Sequence, residues 1–152
     1  MTLKICELVS IILSAIAAGM FFGPWLALSR SINSFKPDVF LAIVSRLDRN
    51  IEPLMKVLMP ITLLSLVSVL YFSYNQQTQT FYLTIASFSL FCVALVVTLV
   101  VEVPIVKQII TWSVSTLPDN WEQLRDRWGT FHVVRVIAAI LGLILIVVGS
   151  IL

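Results

Sequence analysis

The sequence predicts an all-α fold, a four-transmembrane-helix antiparallel bundle with an amphipathic helix in its first connection. Three observations carry this. Hydrophobic residues make up 59% of the 152-residue chain and charged residues only 12%, with a mean hydropathy of +1.02, more apolar surface than a water-soluble core can absorb. Four segments, residues 5–25, 53–74, 81–106 and 131–152, each meet the length of roughly twenty apolar residues that a bilayer-spanning helix needs. Together they fill the chain, which leaves a single integral membrane domain over residues 1–152.

The first segment imitates a cleavable leader, with Lys4, an apolar stretch and the small run Ala15-Ile16-Ala17-Ala18. Glu7 inside the stretch and the continued apolar run through Met20-Phe21-Phe22 favour a retained helix. Gly19, Gly23 and Pro24 close this helix and offer close backbone approach or room for a ligand. Beyond it, Lys36-Pro37-Asp38 is a helix start, followed by Val39, Phe40, Ile43, Val44 and Leu47 on one face and charged residues largely on the other. Two outcomes stay open: a helix lying in the interface, or one that runs on into the second span with a bend at Pro53.

The turn at residues 75–80 is short enough to make the second and third spans antiparallel neighbours. Pro104 is expected to kink or loosen the end of the third span. Asp119 reads as the N-cap of the last helix, with Glu122 three residues later at the capping-box position.

Basic residues set the orientation. Arg30, Lys36, Arg46 and Arg49 fall in the first connection and Lys107, Arg125 and Arg127 in the third, whereas residues 75–80 carry no charge. Both basic connections lie on one side, which should be cytoplasmic, and both termini are then expected to be non-cytoplasmic.

The last helix bears a stripe at alternating spacings of four and three, Trp121, Arg125, Trp128, His132 and Arg135, all on one face. His132 is the only histidine. Antiparallel packing brings Glu52 and Lys56 of the second span, Glu102 of the third and His132 and Arg135 of the fourth to one layer. Ionisable groups at such depth define a functional-site hypothesis. Glu102, between valines and Pro104, needs a partner, and Arg135 and Lys56 are the candidates. Lys56 is expected to snorkel, and Trp121 and Trp128 can serve as interfacial anchors or as ligand walls.

Several chemistries are set aside. One histidine provides neither a bis-histidine haem pair nor a di-metal centre. Cys6 and Cys92 lie in different apolar helices, so no adjacent redox pair exists. No glycine-rich phosphate loop and no sign of nucleic-acid binding are present. A mononuclear metal held by His132, Glu102 and Glu52 is a further reading, since an imidazole with two carboxylates is a known ligand set.

Glu102-Val103-Pro104, followed by Trp121, Arg125, Trp128, His132 and Arg135, resembles the pattern of the small four-helix membrane proteins that include the anthrone oxygenases. In that family an Asn commonly precedes Val-Pro and another follows the Pro, whereas here Glu102 takes the first place and Val106 and Lys107 follow. The resemblance implies oxidation by O₂ of an activated methylene in a polycyclic aromatic. It implies that His132, helped by Glu102, removes the proton, that Arg135 or Arg125 stabilises the enolate, and that Trp121 and Trp128 stack on the rings, with Gly23 in the substrate-binding group. An electron-rich enolate reacts with O₂ unaided, so this mechanism requires no cofactor, while a single metal ion or haem stays open. The expected partners are the lipid bilayer and a hydrophobic small molecule.

The rival reading is a non-catalytic membrane subunit or a binding protein for a lipid, quinone, haem or metal. Ala138-x-x-x-Gly142 and Gly149 supply small-residue faces for association into a homo-oligomer or a larger membrane complex.

Overall fold

The computed structural model describes residues 1–74 and 78–152. It is all-helical among those residues: α1 (Thr2–Ala27), α2 (Pro37–Ser73), α3 (Thr78–Val97), a π-helical turn (Thr98–Glu102), α4 (Val103–Ile109) and α5 (Trp121–Ile151), with short 3₁₀ turns at Ser29–Ser34 and Val114–Thr116. Four stretches are long and apolar enough to cross a membrane, namely Thr2–Ser34, Pro37–Ser73, Thr78–Ile109 and Trp121–Ile151. Large apolar side chains such as Leu64, Val96, Val100 and Ile137 point outward, the arrangement a lipid environment stabilises, and the protein is an integral membrane protein.

The amphipathic helix of the first connection and the second span form one continuous element. Pro37 occupies its first turn, where the missing N–H has no partner to lose, and helix continues through both Pro53 and Pro60. The carbonyl that Pro53 leaves without a partner belongs to Arg49, at an exposed turn where solvent or headgroups can satisfy it. Of the turn read at residues 75–80, Asn75, Gln76 and Gln77 lie outside the described residues, and α3 already begins at Thr78. The expected N-cap at Asp119 is not observed. Asn120 precedes the first helical residue and makes no side-chain cap, and the turn closes instead through the Trp121 N–H to the Pro118 carbonyl at 3.1 Å.

Pro104 acts as expected, and the form it takes is the π-helical turn just before it. Its ring crowds the carbonyl of Val100 and offers no N–H, so the backbone widens by a residue. The inward-facing positions record this. They step through Thr80, Thr84, Ser87, Phe91, Ala94 and Thr98 by fours and threes, then take a second consecutive step of four to Glu102 before Ile105 and Ile109. The bulge thus turns a carboxylate into the bundle.

α3 and α5 pack backbone to backbone. The hydroxyls of Ser87 and Thr80 donate to the carbonyls of Gly142 and Gly149, each at 2.7 Å, and a Cβ on Gly142 would stand 2.9 Å from the Phe91 ring. Gly142, Gly149 and the buried Ala138 and Ala139 are therefore used within the chain. The face read as a site for association between chains is occupied by the protein's own third span. Lys4, whose Nζ donates to the Ser150 carbonyl at 3.0 Å, ties the two ends of the chain together at one end of the bundle. At the other end a second apolar core gathers Ile32, Phe40, Leu41, Val44, Ile105, Ile109 and Trp128.

Candidate functional site

Between these cores lies a cavity of about 480 Å³, walled by α1, α2, α3, the π turn, α4 and α5. Its walls are mostly apolar, with Met20, Met55 and Met59 supplying flexible thioethers that adapt to an occupant. Glu52, Lys56, Asp48 and Lys107 also line it, and Glu52 pairs with Lys56 at 2.8 Å. Glu102, Trp128, His132 and Arg135 form its polar wall.

That wall is a connected network whose proton positions follow from donor and acceptor types. Arg135 only donates, and its Nη2 and Nε lie 2.7 and 3.2 Å from His132 Nδ1, so Nδ1 accepts. The hydrogen of the neutral ring therefore sits on Nε2, which donates to the Phe21 carbonyl at 3.1 Å. This carbonyl lies in the turn loosened by Pro24, whose missing N–H leaves the preceding Met20 carbonyl without its helical partner. Arg135 Nη1 donates to Thr98 Oγ1 at 3.4 Å, and Nη2 stands 3.2 Å from Glu102 Oε2. The guanidinium lies 4.9 Å from the centre of the Phe21 ring, and the Trp128 and His132 rings are 5.4 Å apart.

Glu102 is 2% exposed. Its oxygens are close to Arg135 by distance without a well-directed hydrogen bond, and the buried Trp128 indole N–H is the other donor beside the carboxylate. The pair is held chiefly by charge, in surroundings where charge acts strongly.

The structure brings Glu52, Glu102, His132 and Arg135 to one cavity, as their shared depth implies. Arg135, not Lys56, is the partner of Glu102. The stripe on α5 divides. Trp128, His132 and Arg135 face the cavity, whereas Trp121 packs 5.8 Å from the Phe40 ring and Arg125 lies 5.0 Å from the Trp121 ring and 2.9 Å from Asp126. Neither Trp121 nor Arg125 lines the cavity, because the first turns of α5 extend past it to the second core. Gly23 also points away from it, exposed and with nothing within 4 Å of a Cβ, since Met20, Phe21 and Pro24 take the inward positions of that turn.

The residues proposed for a metal do not fit one. Among the described residues no group of three or more His, Cys, Asp or Glu side chains is placed to hold an ion. The one lone pair of the His132 ring is bonded to Arg135, and a guanidinium stands where a cation would have to sit. Thr98 and the Phe21 carbonyl join the site without a sequence motif of their own, although Pro24 marks the turn in which that carbonyl lies.

Fold and site together define a four-span membrane protein with an apolar cavity bounded on one wall by a His, Arg and Glu network. The anthrone oxygenase family model matches residues 53–145, and the chain belongs to that family. No curated protein and no solved structure shows a significant match. The matched region holds Glu102, Trp128, His132 and Arg135, while Phe21 and Met20 lie before it.

Proposed function

We propose that this protein is a membrane oxygenase that converts an activated methylene of a flat, hydrophobic aromatic ketone, of the anthrone type, to a carbonyl with O₂. The observation that carries the reading is the Arg135 and Glu102 pair in the wall of an apolar cavity of about 480 Å³, a size suited to a small organic ligand. The bilayer in which the helices lie concentrates such substrates.

Arg135, the more accessible member of the pair at 13% exposure against 3% for Glu102, meets the ketone oxygen and stabilises the negative charge that develops there. As the guanidinium turns to that oxygen, the Glu102 carboxylate takes a proton from the methylene. The electron pair of the broken C–H bond passes into the enolate. The enolate carbon gives two electrons to O₂ and bonds to one of its oxygens, and the resulting peroxide takes the proton back from Glu102 to become a hydroperoxide. Loss of water leaves the new carbonyl, so one O₂ converts CH₂ to C=O and H₂O, and the chemistry asks for no cofactor. His132, with both ring nitrogens engaged, is assigned to positioning Arg135 rather than to proton transfer.

A second reading, that the cavity only holds a ligand, draws on the closure of the network: both Glu102 oxygens are covered, so a substrate must first displace Arg135. Purified protein in lipid nanodiscs, given an anthrone, separates the two. The oxygenase consumes one O₂ per quinone formed, above the spontaneous rate, whereas a binding protein retains the compound unchanged.

A further inference from the structure

The cavity is open along one side. Among the described residues that line it, Lys56, Pro60, Leu99 and Lys107 are the exposed ones, and they stand on α2 and on the third span. Phe21 and His132, toward α1 and α5, are buried. The opening is bounded at both ends. α2 and α3 meet where the Tyr74 and Phe81 rings stand 5.4 Å apart, with Leu66 and Val69 buried below that contact. At the other end Val44 of α2 joins Ile105 and Ile109 of α4 in the second core. Leu99 and Lys56 lie equally far along the chain from the Tyr74 and Phe81 contact, which puts them at one level of an antiparallel pair. Both edges depart from regular helical bonding there, because Pro60 supplies no N–H and Leu99 sits in the π turn.

This window lies at the depth of the hydrocarbon. Pro60 and Leu99 are apolar and turned outward, Leu99 at 58% exposure. Lys56 carries its ammonium to Glu52, one turn nearer the first connection, at 2.8 Å, and leaves its apolar stem at the edge. A molecule dissolved among the acyl chains therefore meets an apolar edge, and behind it the wall of Glu102 and Arg135. We propose that a flat, uncharged aromatic ligand enters the cavity sideways from the bilayer through this window, and that Leu99 sets its width. The route rests on the reading of the cavity as a site for such a ligand.

Stopped-flow quenching of Trp128 by anthraquinone in nanodiscs tests the route, in a parent protein whose Trp25, Trp112 and Trp121 are replaced by Phe. Leu99→Phe should slow association and dissociation together, by on the order of tenfold, and Leu99→Ala should speed both, with Kd little changed, because a barrier acts equally in the two directions. Val96→Phe, outward on α3 and clear of the cavity, should alter neither rate. A change in dissociation alone would mean that Leu99 only touches the bound ligand, and would overturn the window. Rates that ignore Leu99 but respond to Lys107→Leu would place entry at the charged end and overturn it as well. No quenching in the parent protein would contradict an aromatic ligand in the cavity, so that the oxygenase reading falls too, whereas normal quenching indifferent to Leu99 removes the window alone. If the triple replacement fails to fold, the protein with all four tryptophans gives the same rates from the phase that Trp128→Phe abolishes.

Discussion

Arg135 donates to His132 Nδ1 at 2.7 Å from one turn further along the same helix, and this contact fixes the imidazole with its hydrogen on Nε2, against the Phe21 carbonyl. The only histidine of the chain thereby spans α5 and α1. It holds a guanidinium in place and has no free lone pair with which to take a proton.

This division of roles makes His132→Gln informative. A glutamine can accept from Arg135 through its carbonyl and donate to Phe21 through its amide, so turnover should stay within roughly tenfold of wild type. His132→Leu, which can do neither, should lose far more. Steady-state O₂ uptake checks both. A loss of 10² or more in the glutamine variant, the order expected on removing a general base, would return that role to His132.

Arg135→Lys should lower turnover by on the order of 10², because the planar fork that reaches His132, Thr98 and Glu102 together becomes a single ammonium. It should also reduce stability, since the buried Glu102 then loses part of its pairing. Activity and melting temperature measured on the same preparation should fall together.

Gly142→Ala places a methyl group 2.9 Å from the Phe91 ring and 3.4 Å from the Ser87 carbonyl. Overpacking of this kind costs about 1–3 kcal/mol. Thermal unfolding should show the loss, and adding Phe91→Leu should recover part of it. An additive double variant would mean that the two helices do not meet as described.

The four spans were legible because length and hydropathy suffice to identify a membrane helix. Continuity across Pro53 was not, since whether a proline breaks a helix depends on what satisfies the carbonyl it frees, and that is a property of surroundings. The meeting of His132 with Arg135 follows from their spacing, and that of Arg135 with Glu102 from antiparallel depth. Trp121 and Arg125 share their face yet not their surroundings. Periodicity gives the direction of a side chain around an axis, whereas its position relative to the cavity is set by how far α5 runs past the bundle to Phe40. The Phe21 carbonyl leaves no mark of its own in the sequence, because every residue has a backbone acceptor.

Orientation in the membrane is a separate expectation, drawn from the basic residues of the first and third connections. Single cysteines introduced at Arg46 and Gln79, in a background lacking Cys6 and Cys92, should label from opposite sides, Arg46 from the cytoplasm. Labelling of both from one side would contradict the antiparallel arrangement of α2 and α3.

The central claim is that Glu102 takes a proton from the substrate methylene, and this step can be observed without O₂. Anaerobic incubation of a methylene-deuterated anthrone with the protein in nanodiscs, followed by mass spectrometry, reports the washout of deuterium. Wild type should accelerate washout well above the lipid-only rate, and Glu102→Gln should reduce the acceleration by on the order of 10² to 10⁴ while binding the compound unchanged. Equal washout by Glu102→Gln and wild type would contradict the assignment, and washout no faster than in lipid alone would contradict enolisation in this cavity.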